Sequence, residues 1–372
     1  MHSNYSIVMK NSIYFFSILL LFCQCGSIKN SSFEQTNEGL KEFYKKYFNI
    51  GVAVSVSSVK NKNANLILHE FNSVTAENAM KMGPIHPAEN MYNWKDADTI
   101  MAFVKNNNLK IRGHNLCWHQ QTPKWMFIDS LGKKVSKQIL LARLKQHIFE
   151  VVGRYKGQVY AWDVVNEAIS DAPNEYLRNS EWYQIAGKEY IAKAFEYTHE
   201  ADPDALLFYN DYNEISATKR AKIIKLITQL KKEGVPINGI GLQGHWAINE
   251  PSYAQLDSTL SDFSKLGLMI QITELDISVY PKEHAARERQ NIDTATTFSL
   301  EKETKQAAVY KYCFELFRKY KKYINSVTFW NISDEHSWLD NFPVKNRKDY
   351  PLLFDTNNNR KAAYWEVAKW EK

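Results

Sequence analysis

Residues 159–169 read VYAWDVVNEAI, a β-branched and apolar run that ends abruptly in an asparagine and a glutamate. Residues 268–277, LMIQITELDI, repeat the form, with Glu274 after the apolar run. Short continuous apolar runs of this kind are typical of fully buried strands. Parallel strands that are covered by helices carry such runs.

Similar runs recur along the chain and alternate with amphipathic stretches. The candidate strands are 51–56, the segment leading into Thr75, 109–114, 159–165, 205–210, 237–243, 268–274 and 325–330. Helical periodicity covers 137–152, 182–200, 216–233, 253–265 and 302–320. Eight strands that alternate with helices predict a single (β/α)₈ TIM barrel in the α/β class, over residues 38–372. A doubly wound sheet is disfavoured, because no GxGxxG motif follows the first strand.

Polar residues follow nearly every candidate strand. In a (β/α)₈ barrel the active site lies at the carboxyl ends of the strands, so this concentration predicts a site on that rim. Any one of these residues has a simpler explanation, since Asp211 or Asp334 could cap the next helix. Independent caps do not explain why so many polar residues share one rim.

Glu167 and Glu274 close the fourth and seventh candidate strands, which lie across the barrel mouth from one another. Two carboxyl groups that flank a cleft are what glycoside hydrolysis requires. This chemistry needs no metal and no organic cofactor, and we expect neither.

Seven motifs, in order and in register, resemble the glycoside hydrolase family 10 endo-1,4-beta-xylanases. They are TAENAMK from Thr75, GHNLCWHQQTPKW from Gly113, WDVVNEAI from Trp162, NDYN from Asn210, GIGLQGHW from Gly239, ITELDI from Ile272 and FWNISDEHSW from Phe329. The resemblance implies a retaining enzyme that acts on xylan and xylo-oligosaccharides, with Glu274 as nucleophile and Glu167 as acid/base.

The resemblance also implies the roles of further residues. His245 would bond to the nucleophile, Asp276 would orient His245, and Asn166 would bond the sugar 2-hydroxyl. The remaining substrate-binding residues that it implies are Glu77, Asn78, Lys81, His114, Trp118, Gln243, Trp330 and Trp338. The family also implies bulky tryptophans that exclude the hydroxymethyl group of glucose, a place that Trp330 and Trp338 would take.

The N-terminal residues predict export. An apolar run from Ser12 to Cys25 follows Lys10, as in a signal peptide, and a polar tether at 26–37 follows. Cys25 offers a lipid anchor as the alternative to simple cleavage, so the protein would be a bacterial one that is secreted, periplasmic or anchored in the outer membrane as a lipoprotein. Cys117 and Cys313 then remain, and two distant cysteines predict buried free thiols.

The charge pattern argues against nucleic acid as a partner. The formal net charge is +6, but the basic residues are spread along the chain and not clustered in runs. Nothing in the sequence indicates an oligomer.

Three alternatives stay open at this point. The enzyme could be another retaining barrel glycosidase, such as a β-1,4-glucanase, or the barrel could be a sugar-binding protein that has lost catalysis. A metal-dependent hydrolase using His114, His119 and His245 is the third, although the spacing of His114 and His119 is unlike that of common metal sites.

Overall fold

A closed barrel of parallel strands organises the computed structural model, which describes residues 1–3, 38–281 and 297–369. In these residues the strands are β1 (Asn49–Val54), β2 (Ser73–Ala76), β3 (Lys110–Trp118), β4 (Ala161–Asn166), β5 (Leu206–Asp211), β6 (Gly239–Leu242), β7 (His245–Ala247), β8 (Met269–Ser278) and β9 (Ile324–Phe329). Neighbours follow the order β6-β5-β4-β3-β2-β1-β9-β8, and pairing of β6 with β8 closes the ring. The short β7 resumes the line of β6 beside β8, so the barrel has eight strand positions, and the predicted (β/α)₈ fold is confirmed.

Helices follow the strands along the chain. They are α1 (Leu40–Tyr44), α2 (Asn63–Glu70), α3 (Met82–Ile85), α4 (Lys95–Asn106), α5 (Lys137–Arg154), α6 (Glu181–Ala186), α7 (Glu189–Ala201), α8 (Ala217–Lys232), α9 (Tyr253–Ser264), α10 (Leu300–Lys319) and α11 (Ala362–Ala368). None of these helices is long and apolar enough to cross a membrane.

Local sequence explains where several helices begin. Ser136, Ser252 and Ser299 each accept a hydrogen bond from a backbone N–H in the first turn of α5, α9 and α10. At α9, Gln255 returns a bond to the backbone of Ser252, which satisfies two of the otherwise unpaired groups at a helix start. Each helix then buries one apolar stripe against the strands.

Two glycines allow close packing of the strands and a break in the barrel wall. A Cβ at Gly113 would lie 2.0 Å from the Trp162 ring, so only glycine fits between β3 and β4 there. Gly244 has φ +78°, a conformation that favours glycine, and it lies at the interruption between β6 and β7. That interruption precedes His245.

Several predicted boundaries were wrong. The helix predicted at 182–200 is two helices, because Gly187 adopts φ +61° and ends α6. β8 continues past Glu274 to Ser278, because β7 supplies it with a further partner. The sixth predicted strand, 237–243, is the shorter β6 followed by β7. Cys117 and Cys313 are buried free thiols, as predicted.

The predictions for residues 1–25 and 26–37 fall almost wholly outside the described residues. The sequence also predicts a long loop over about 280–300, between the seventh strand and its helix, and most of that stretch lies outside the described residues as well.

Candidate active site

Glu167 lies directly after β4, where its backbone adopts φ +58° and its N–H donates to the Asn210 carbonyl at 2.9 Å. Its carboxylate is nearly buried and accepts three hydrogen bonds from neutral donors. Trp118 Nε1 donates to Oε2 at 2.8 Å, while Gln243 Nε2 and Asn166 Nδ2 donate to Oε1 at 3.0 and 3.2 Å. Burial raises the pKa of Glu167, and the charges of Asp211 and Glu274 add to this rise although the bonds from Gln243 and Trp118 oppose it. Glu167 is therefore set to hold a proton more readily than an ordinary glutamate.

Glu274, within β8, is equally buried but has cationic partners. His245 Nε2 lies 3.1 Å from Oε2, and Asn210 Nδ2 donates to Oε1 at 2.8 Å. Burial alone would raise the pKa of Glu274, but the charges of His114, His245 and Lys81 and the His245 hydrogen bond lower it to about 2. Glu274 is thus an anion near neutral pH.

Asp276 supports His245 from the side opposite Glu274. Its Oδ2 lies 2.9 Å from His245 Nδ1 and also accepts from Trp338 Nε1 at 2.7 Å. Burial would lower the pKa of His245, but Asp276 first and Glu274 second raise it to about 10. The resulting line Asp276–His245–Glu274 alternates in charge, and it also fixes the Trp338 ring 4.8 Å from His245.

Lys81 lies in the same cleft, where it contacts residues at the ends of β2, β3 and β9. Its Nζ donates to Asn78 Oδ1 at 3.1 Å and lies 5.1 and 5.9 Å from the ring centres of Trp118 and Trp330. Burial lowers its pKa, although the negative charges of Glu274, Glu77 and Glu167 oppose this. Glu77 in turn accepts from Asn331 Nδ2 at 3.1 Å.

His114 lies within β3 and not at its end, but its ring still meets Trp330, at 5.3 Å between centres. Asp163 Oδ2 lies 2.9 Å from His114 Nδ1 and is itself held by two bonds from Arg112, at 3.2 and 2.6 Å. All three side chains are buried in the barrel interior. Because Nδ1 of His114 is committed to Asp163, Nε2 is the nitrogen that remains for a ligand, and its contact in the described structure is Asn115 Nδ2 at 3.4 Å.

The sequence profile of glycosyl hydrolase family 10 matches residues 39–370. The chain belongs to glycosyl hydrolase family 10. It is 47% identical over 364 residues to a beta-1,4-xylanase of Dictyoglomus thermophilum, and the match covers 98% of this chain and 100% of the relative. It is 44% identical over 328 residues to endo-1,4-beta-xylanase B of Paenibacillus barcinonensis, with 88% and 97% covered.

Solved structures agree with the family 10 barrel. A crystal structure of a xylanase from Paenibacillus barcinonensis with a conduramine derivative superposes with a TM-score of 0.85 at 44% identity, covering 89% of this chain and 98% of that one. A mutant structure in complex with xylotriose gives a TM-score of 0.84 at 42% identity, with 89% and 99% covered.

Asn210 is a contact residue of this family 10 barrel to which the sequence reasoning gave no role. Its Nδ2 donates at 2.8 Å both to Glu274 Oε1 and to Asn166 Oδ1, while its Oδ1 accepts from Thr273 at 2.7 Å. Asn210 thereby joins the neighbourhoods of the two glutamates. A signal was present, since Asn210 opens the NDYN motif at a strand end.

A second group missed from the sequence holds the loop that follows Glu167. Arg178 Nε donates to the Glu167 carbonyl at 3.0 Å, and its Nη2 donates to Asp171 and to the Tyr212 hydroxyl at 2.9 Å each. Lys219 bonds Asp171 at 2.9 Å and Asp211 at 3.1 Å, so Asp211 is one half of a buried ion pair and not a helix cap. Asp334 likewise pairs with Lys361, at 2.7 Å.

The three histidines of the metal alternative do not converge on one point. His114 meets Asp163, His245 meets Glu274 and Asp276, and His119 Nδ1 lies 3.8 Å from Glu167. Among the described residues no group of three or more His, Cys, Asp or Glu side chains is placed to hold a metal ion. The donor set that this alternative needs is not assembled in the family 10 barrel.

Proposed function

We propose that the protein hydrolyses internal β-1,4-xylosidic bonds of xylan and xylo-oligosaccharides by a retaining double displacement. The observation that carries the proposal is the opposite perturbation of two buried carboxyl groups at one rim. Glu274 has its pKa lowered to about 2, while the pKa of Glu167 is raised. A nucleophile must begin ionised and a general acid must begin protonated, and environments that push two carboxyl pKa values apart assign these roles.

In the first step Glu274 attacks the anomeric carbon as the glycosidic C–O bond breaks, and Glu167 gives its proton to the leaving oxygen. The product is a glycosyl ester on Glu274. The negative charge of Glu274 disappears in the ester, so one of the causes that raise the pKa of Glu167 disappears with it. Glu167 can then take a proton from the water that breaks the ester, and both carboxyl groups return to their starting forms.

Neighbouring residues would position the sugar during these steps. An amide nitrogen carries two hydrogens, and Asn166 Nδ2 gives one to Glu167, which leaves the other for the sugar 2-hydroxyl. The sugar hydroxyl groups would form hydrogen bonds with Glu77, Asn78, Lys81, His114 and Gln243. The pyranose rings would face Trp118, Trp330 and Trp338. The similar proteins of Dictyoglomus thermophilum and Paenibacillus barcinonensis are xylanases, which supports xylose over glucose at these positions.

Replacement of each glutamate by glutamine tests the chemistry. We expect Glu274→Gln and Glu167→Gln each to lower kcat on xylan by about three orders of magnitude or more. The anomeric form of the first product, followed by NMR, should be β. An α product, or full activity in either variant, would overturn the mechanism.

The substrate needs its own measurement. Initial rates on xylan and on carboxymethylcellulose distinguish a xylanase from the β-1,4-glucanase alternative, and we expect xylan to be strongly preferred. Equal or faster hydrolysis of the cellulose derivative would overturn the assignment to xylan while leaving the retaining mechanism intact.

We also propose that the protein is exported, with residues 1–25 as a signal peptide, 26–37 as a tether and 38–372 as the catalytic domain. The apolar run before Cys25 supports export, and Cys25-Gly26-Ser27 supports a lipid anchor. Palmitate labelling that disappears in Cys25→Ser would support the anchor. A protein found in the cytoplasm with an intact N-terminus would overturn export.

A further inference from the structure

A depression at the amino-terminal end of the barrel is lined by lysines and carries no carboxylate among its lining residues. Lys45, Lys46, Lys321 and Lys322 line it, together with Tyr47 and Tyr323. The four lysines are exposed and the two tyrosines are half-buried. Lys110 lies beside it and donates to Asn49 Oδ1 at 3.1 Å.

What sets this depression apart is that several lysines meet there with no carboxylate among its lining residues. Many other lysines of the described residues pair with a carboxylate, as Lys319 does with Asp257 at 2.6 Å and Lys311 with Glu366 at 3.1 Å. Within the described chain, none of the five lysines at the depression has an acidic partner within 4.0 Å. Lys321 lies instead 4.7 Å from the ring centre of Tyr47, and Lys322 lies 5.6 Å from that of Tyr323.

The position of this lysine cluster (Lys45, Lys46, Lys110, Lys321 and Lys322) follows from the strand register. Asn49, Lys110 and Ile324 are the first residues of β1, β3 and β9. Glu167 follows the last residue of β4, so the cluster and the carboxylates lie at opposite ends of parallel strands. A polysaccharide bound in the cleft would therefore lie over the carboxyl ends of the strands, away from the lysine cluster.

The chain enters the barrel at the same end. α1 (Leu40–Tyr44) runs directly into Lys45 and Lys46. A chain anchored through Cys25, as proposed above, would therefore be joined to the lipid surface at the side of the barrel that carries the lysine cluster.

We propose that the lysine cluster docks the barrel on an anionic phospholipid surface, with the catalytic cleft facing away from the lipid. Lysines near an anionic bilayer each strengthen partitioning by about fivefold, and this attraction is screened within about 10 Å at ordinary ionic strength. Tyrosine side chains, polar at one end and apolar along the ring, suit the lipid–water interface. The bilayer is favoured over an acidic polysaccharide because the cluster is remote from the cleft and next to the chain entry.

Vesicle sedimentation tests the proposal with the barrel alone, residues 38–372, so that the apolar N-terminal run does not bind lipid itself. The barrel is expected to fold without the preceding residues, because the family profile matches 39–370. The Paenibacillus structure is matched over 98% of its own length by 89% of this chain. Vesicles of equal parts phosphatidylglycerol and phosphatidylcholine should bind the barrel, and vesicles of phosphatidylcholine alone should not. Binding should disappear at about 0.5 M NaCl, where the Debye length falls to about 4 Å.

The decisive variant replaces Lys45, Lys46, Lys321 and Lys322 with glutamine. We expect its partitioning to fall at least tenfold while hydrolysis of soluble substrate is unchanged, which shows that the barrel is folded. A charge-matched control replaces four exposed lysines elsewhere, Lys60, Lys105, Lys124 and Lys133, and should bind vesicles within about twofold of the parent. Equal losses in both variants would overturn the proposal, as would retention on immobilised glucuronoxylan that depends on the cluster while vesicles do not bind.

Discussion

Replacement of Asp276 by asparagine should raise the pH at which the enzyme loses activity on the acid side. Asp276 lies 2.9 Å from His245 Nδ1, and it is the largest cause that raises the pKa of His245 to about 10. Without this carboxylate, burial favours the neutral imidazole. Glu274, 3.1 Å from Nε2, then loses its nearest cation.

The size of the effect follows from the charge that is lost. An opposite charge at this distance lowers a carboxyl pKa by roughly one to three units, so its loss should raise the pKa of Glu274 from about 2 to roughly 3–5. The acid limb of kcat/KM reports the ionisation of an essential base in the free enzyme, here the proposed nucleophile Glu274. The parent should therefore keep its activity down to about pH 4, whereas Asp276→Asn should already be losing activity there.

The assay is the pH profile of kcat/KM on a soluble xylo-oligosaccharide, with circular dichroism at each pH to verify that the barrel stays folded. Trp338→Phe is the matched control, because it removes the other donor to Asp276 Oδ2 and leaves the charges of Asp276 and His245 in place. We expect this control to change KM and to leave the acid limb unmoved. An acid limb in Asp276→Asn that coincides with that of the parent would refute the assigned role of Asp276.

Three further changes test other contacts. Trp118→Phe removes the Nε1–H donor that lies 2.8 Å from Glu167. Because this hydrogen bond lowers the pKa of Glu167, the alkaline limb of kcat/KM should move to higher pH, and a limb that stays in place or moves to lower pH would contradict this. Asn210→Ala removes the bonds to Glu274 and Asn166, and kcat should fall about 10- to 100-fold with little change in KM, whereas the neighbouring exchange Asn213→Ala should be far milder. Gly244→Ala places a Cβ at φ +78° and 3.1 Å from Ile272, and urea unfolding should show a loss of about 1–2 kcal/mol; Gly153→Ala in α5, with open space and no positive φ, should be neutral or stabilising by up to about 1 kcal/mol.

The sequence predicted the barrel because its signals are local. Each strand is an apolar run, and each run is followed within a few residues by polar side chains such as Asn166 and Gln243. The rule that parallel strands end at one rim then brings these residues together without any knowledge of register. The break between β6 and β7 escaped prediction because β7 spans only three residues, and its pairing partner Asp276 is remote in sequence.

The unpredicted part of the site depends on contacts between residues that are distant in sequence. Arg112 binds Asp163 from 51 positions away, and Asn210 reaches Glu274 across 64. Asp163 could be noticed in the sequence because it is a charged residue in the middle of the apolar run 159–165. No local pattern, however, predicts that its partner is Arg112. Likewise, Arg178 lies in a polar loop where its sequence surroundings do not distinguish it from a solvated arginine.

Burial does not separate the two glutamates, since Glu167 is 8% exposed and Glu274 is 5% exposed. Desolvation therefore raises both pKa values, and the difference between them must come from the charges of their partners. The donors to Glu167 are the neutral groups of Trp118, Gln243 and Asn166. His119 adds no cation there, because burial above all, with help from the Arg178 charge, lowers its pKa to about 4. Glu274 faces His245, and His245 stays protonated because Asp276 lies behind it. Asp276, a buried carboxylate that contacts His245 and not the two glutamates, thus sets which of them begins as the anion.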